Sequence, residues 1–85
     1  MNAQKKAEYE KIQENILKSL FDADGGKTLT ELCKLTGKPT NETRYHCEEL
    51  SNKKLVALEM ISDGVGRVAL GCEISAQGRK KIMEQ

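Results

Sequence analysis

Two short stretches of helical periodicity flank the break Thr36-Gly37-Lys38-Pro39, and an apolar, β-branched run follows from Leu55. That order restricts what the chain can fold into. In the first stretch Leu29, Leu32, Cys33 and Leu35 fall near the i, i+3, i+4 repeat of one helix face. In the second, Thr43, Cys47 and Leu50 are spaced i, i+4, i+7 and share a face one above the other. Two helices joined by a short turn containing Gly make a helix-turn-helix, which presents its second helix to a DNA groove.

The remaining segments fit around that unit. From about 5 to 22 the pattern is helical, with Tyr9, Ile12, Ile16 and Leu20 along one stripe broadened by Leu17 and Phe21. Glu14 and Lys18 are ordered for an i, i+4 ion pair. The helix is longer than a three-helix core requires, so its first two turns are expected to project and meet a second copy. Asp22-Ala23-Asp24-Gly25-Gly26 stops it, since paired glycines allow positive φ and Asp favours turns. A calcium loop is a poor reading of these residues, because the spaced oxygen ligands and closing glutamate are missing. Lys27-Thr28 is expected to add a very short strand to a later hairpin, and Thr28 or Thr30 to cap the next helix, about 30 to 36. Pro39 sets φ at the start of the third helix, where Thr40 or Asn41 can satisfy free amides. Asn52 is expected to take the left-handed cap that ends it.

Leu55 to Ile61 and Val68 to Ile74 read as strands. Val68, Leu70, Cys72 and Ile74 alternate with Ala69, Gly71 and Glu73, the period of a half-buried strand. Asp63-Gly64 between them is a hairpin signal, with Arg67 near the tip. Ser75 can cap a last helix from about 76 to 84, in which Gly78 permits close approach and Ile82 and Met83 pack inward.

Several of these pieces resemble the winged helix-turn-helix superfamily, as in MarR- and ArsR-type transcriptional regulators. Thr28-Leu29-Thr30-Glu31-Leu32 looks like the opening of the family's second helix, and Gly37 is similar to the glycine of its turn. Thr43, His46, Cys47, Glu48, Glu49 and Leu50 fall where the family shows a β-branched residue, a frequent His-Leu pair and a polar-polar-Leu ending. Ile74-Ser75-Ala76-Gln77-Gly78-Arg79 resembles its closing strand-to-helix step. Cys47 stands where a leucine is usual, and Lys54 where a glycine often precedes the wing. The match covers about 28–85. It implies a single α+β, mainly α domain over 1–85: an N-terminal helix about 5–22, a helix-turn-helix about 29–52, a wing about 55–74 and a C-terminal helix about 76–84.

Buried Thr43, Cys47 and Leu50 would turn Asn41, Tyr45 and Glu48 outward, with Thr40 and Arg44 at one edge and His46 beside the core. Asn pairs with adenine and Arg with guanine at major-groove edges. The expected contact set is therefore Thr40, Asn41, Arg44 and Tyr45 on the recognition helix, about 39–52. Lys34, Lys38, Lys54 and Arg67 would lie on phosphates, Arg67 reaching the backbone or minor groove. The partner so implied is double-stranded DNA, bound by a cytoplasmic homodimer formed through the N- and C-terminal helices. Against it stand Glu42, Glu48 and Glu49, and a net charge of only +1 on 85 residues. A protein-binding adaptor of the same fold is the alternative partner class.

Other chemistries find little footing. His46 is the single histidine, with no second base or ligand fixed nearby, so no enzyme activity, cofactor or metal is expected. Cys33, Cys47 and Cys72 contain no Cys-x-x-Cys and form no disulfide framework, which suits a reducing compartment. They read as core thiols, with a thiol or metal switch as a lesser reading. The polar N-terminus does not resemble a signal peptide, and no apolar run approaches the ~18 residues of a membrane span. Arg79-Lys80-Lys81 is too short for a nucleic-acid tail.

Overall fold

Residues 3–62 and 65–85 are described by a computed structural model. They form an α+β, mainly helical chain: α1 (Ala3–Ala23), β1 (Gly26–Thr28), α2 (Leu29–Thr36), α3 (Thr40–Asn52), β2 (Val56–Ser62), β3 (Val68–Ile74) and α4 (Ala76–Met83). The hairpin turn expected at Asp63-Gly64 lies outside the described residues.

The helices form where the apolar spacing asks for them, and they bury that spacing. Ile16, Leu17 and Leu20 of α1, Leu29 and Leu32 of α2, and Cys47 and Leu50 of α3 make one core with Val56, Cys72 and Ile74 of the strands. Ile12, Phe21, Leu55, Leu58, Leu70 and Ile82 pack against its rim. Three apolar positions depart from expectation. Leu35, Val68 and Met83 are exposed, because each falls at the end of its element, beyond the reach of the layer it would pack against.

β3 is the middle strand of an antiparallel sheet of order β1-β3-β2. Gly26 faces Glu73 and Thr28 faces Gly71 on one side; Val56 faces Ile74 and Ser62 faces Val68 on the other. The short strand expected at Lys27-Thr28 thus joins the ribbon. Gly71 is required there: a Cβ on it would lie 2.3 Å from the Lys27 carbonyl oxygen.

Three helices end in a left-handed residue, and two of these are not glycine. α1 ends at Asp24 (φ 54), not at the glycines beside it. The Asp24 amide donates to the Phe21 carbonyl and the Gly25 amide to that of Leu20, the paired bonds of a Schellman turn. α3 ends the same way at Lys54 (φ 65), not at Asn52, with Lys54 donating to Ser51 and Leu55 to Leu50. Asn52 is still within the helix, so the left-handed step falls two residues later. α2 ends at Gly37 (φ 70), whose amide donates to Cys33.

The N-termini differ. Thr28 and Glu31 form a reciprocal capping box on α2, and the Ser75 hydroxyl accepts from the Gly78 amide on α4. α3 starts after Pro39 with no side-chain cap, contrary to the expectation for Thr40 or Asn41. The Thr40 hydroxyl accepts instead from the Cys33 thiol at 3.7 Å. The α2–α3 turn is held by hydroxyls: Thr36 and Thr43 bond at 3.1 Å, the Lys38 amide donates to Thr36 and Thr43 donates to the Lys38 carbonyl. Thr43 is fully buried, so this bonding offsets the cost of burying its oxygen.

Candidate functional site

α3 divides lengthwise. Thr43, His46, Cys47 and Leu50 are buried, whereas Thr40, Asn41, Glu42, Arg44 and Glu48 are exposed. Tyr45 is 42% exposed. The edge expected to meet a partner is therefore open, although several of its groups are already engaged.

Arg44 Nε donates to Glu48 Oε1 at 3.0 Å, an i, i+4 pair on the open face. Lys38 is half-buried in the turn and reaches Glu8 of α1 at 3.4 Å. Asn41 borders a cleft shared with Tyr9 of α1. Tyr45 stands edge-on to Tyr9, with centroids 5.9 Å apart, and Glu49, one turn along the helix, raises its pKa. Lys34 is exposed on the last turn of α2. Lys38, Thr40, Asn41, Arg44 and Tyr45 thus cluster around the first half of α3. Lys54 does not join them: it follows the 13-residue helix, about 20 Å along its axis. Arg67 is exposed at the other end of the ribbon from Lys54, a further strand length of about 20 Å away.

The first turns of α1, expected to project toward a second copy, pack instead against α3 of the same chain. Tyr9 packs edge-on to His46 at 4.9 Å, and Gln13 Nε2 donates to His46 Nδ1 at 3.1 Å. Lys53 in turn donates to Gln13 Oε1 at 3.4 Å. Gln13 lies four residues after Tyr9 on the buried stripe, so its spacing carried the signal that its polarity hid. His46 is 1% exposed, and burial lowers its pKa, against opposing pulls from Glu42 and Glu49. It is a neutral core histidine with its Nδ1 occupied.

Two of the three thiols are enclosed as well, whereas Cys33 is only half-buried, so the core position expected for it is not met. Cys47 and Cys72 are buried, and the Cys72 pKa is raised by the neighbouring Cys47 thiol and by burial, which keeps Cys72 protonated. Among the described residues no group of three or more His, Cys, Asp or Glu is placed to hold a metal ion. Nor is any of their helices long and apolar enough to cross a membrane.

The electrostatic surface is mixed. Glu42, Glu48 and Glu49 sit on α3 with Arg44 among them, and Glu59 and Glu73 are close enough on the sheet that Glu73 raises the Glu59 pKa. No family model, no curated protein and no solved structure matches this chain.

Proposed function

We propose that the chain is a winged-helix DNA-binding transcriptional regulator, with α2, the Gly37 turn and α3 as its helix-turn-helix and the β2–β3 ribbon as its wing. The observation that carries the reading is the lengthwise division of α3. One edge is locked into the core through Thr43, His46, Cys47 and Leu50, while Thr40, Asn41 and Arg44 stand open on the other. A helix so held and so exposed is suited to a major groove. Thr40, Asn41, Arg44 and Tyr45 would read or position bases, and Lys34, Lys38, Lys54 and Arg67 would meet phosphates. A homodimer through α1 and α4 would supply two half-sites. Three free thiols agree with work in a reducing, cytoplasmic compartment.

Because Arg44 and Lys38 are each paired to a glutamate, binding is expected to be weak for one protomer. Its dependence on salt should be shallow, roughly four to eight ions for two protomers. Selection of bound sequences from random duplex DNA tests the reading, and a palindromic motif is the expected result. Affinity that is the same at low and moderate salt would defeat it.

The three glutamates on α3 favour a second reading, in which the same open edge meets a basic protein surface and the chain serves as an adaptor. That reading predicts no duplex selection, and loss of partner binding when Glu48 and Glu49 are replaced by Gln.

A further inference from the structure

We propose that the cleft between α1 and the first turns of α3 binds an organic cation, an alkylammonium or guanidinium group. The cleft has a volume of about 310 Å³ and is lined by Tyr9, Asn41, Glu42, Tyr45 and His46. That lies at the small end of the range for ligand clefts. Its walls decide the sign of the ligand. Two phenol rings line it, and the face of an aromatic ring attracts cations and not anions. Glu42 is part of the lining, and Glu49, one helical turn beyond Tyr45, raises the pKa of its hydroxyl.

Charges of the opposite sign are spent nearby. Lys38 is paired to Glu8, and His46 is neutral with Nδ1 bonded to Gln13. A helix start ordinarily favours anions, but Glu42 occupies the first turn of α3 and offsets that field. An anion would meet Glu42 directly. A neutral apolar ligand would strip water from Glu42 with nothing in return. A cation is the class that satisfies both the carboxylate and the rings.

The chain carries its own reporters. Tyr9 and Tyr45 are its two tyrosines, it has no tryptophan, and His46 is its single histidine. Tyrosine emission therefore comes only from rings that line this cleft, and the imidazole proton resonances report on it from its buried side. The full chain would be titrated with tetramethylammonium chloride and with arginine amide, against sodium chloride at matched ionic strength. Saturable changes at millimolar organic cation are expected, with none from sodium. Glu42→Gln should weaken binding about five- to tenfold, and Tyr45→Leu about tenfold or more. Far-UV circular dichroism should be unchanged in both, since each side chain is at least partly exposed. A response that tracks sodium chloride, or one unaffected by Glu42→Gln, would overturn the assignment. A pentapeptide containing one arginine separates the sources. Tighter binding than arginine amide assigns the cation to a polypeptide, and equal binding assigns it to a small molecule. All readouts are taken on the protein alone, so the result does not depend on whether the chain binds DNA.

Discussion

At one end of the β2–β3 ribbon Val56, Cys72 and Ile74 are buried beneath the helices; at the other, Met60 and Val68 are 62% and 60% exposed. All five lie on the same face, since Val56 faces Ile74, Leu58 faces Cys72, Met60 faces Leu70 and Ser62 faces Val68. The pleat decides which face a side chain joins. The reach of the helical layer decides whether anything covers it. The packed end is also where backbones approach most closely, for a Cβ on Gly78 would lie 2.2 Å from the Leu55 carbonyl oxygen.

Ile74→Ala against Met60→Ala is the strongest test of that contrast. Urea unfolding followed by circular dichroism should lose about 3 kcal/mol for Ile74→Ala, since it removes buried methyl groups and leaves a cavity. Met60→Ala should change stability by less than about 0.5 kcal/mol. Equal losses would mean that the far end is covered after all, by a second copy for instance. Gly78→Ala should cost about 2 kcal/mol in the same assay despite alanine's better helix propensity, because the added methyl meets backbone that cannot turn aside.

The contrast between enclosed and open groups extends to pH. His46 has a folded pKa below its ordinary 6.5 because it is buried. The unfolded chain therefore takes up the proton first, and stability falls as pH drops below about 6.5. Glu59, on the open face of the sheet, has its pKa raised above 4.5 by Glu73. Its repulsion from Glu73 is relieved as pH falls towards that window, so its contribution has the opposite sign. Urea midpoints from pH 7.5 to 5 should fall less in His46→Gln than in the parent. Glu73→Gln should be slightly more stable than the parent at pH 7.5 and lose that advantage near pH 4.5. A smaller gain, about 0.5–1 kcal/mol, is expected from Lys54→Gly, which relieves a left-handed conformation that lysine adopts at a cost. Gly26→Ala would not help in this way, since its Cβ would lie 2.9 Å from the Cys72 carbonyl oxygen of the paired strand.

Much of the layout was legible because it rests on local rules. A threonine cap on α2 (at Thr28 or Thr30, with Thr28 taking it), the Gly37 turn, the Ser75 cap and the bounds of β3 follow from short-range chemistry written in adjacent residues, whereas the reciprocal bond from Glu31 was added by the structure. Lys54 stands where the resemblance implies a glycine, and that position does take positive φ. The candidate site was less legible. Its Thr40, Asn41 and Arg44 edge follows from helical period alone, yet the partners that engage Lys38 and Tyr45 come from α1, some 30 residues earlier in the chain. The role of Gln13 is not legible in the sequence, because a polar side chain on an apolar stripe has no assigned partner until another helix supplies one.

The residue pattern by itself determined the element order, the buried stripe of α1, the inward Thr43-Cys47-Leu50 edge and the pairing of two strands, because each depends on spacing within one segment. Only the tertiary structure decided how far the helices extend over the ribbon, that α1 folds back onto α3, and that Tyr9, Tyr45 and His46 meet beside Glu42. Those outcomes depend on the distance and angle between elements, which burial and backbone approach at Gly71 and Gly78 fix and which no periodicity encodes.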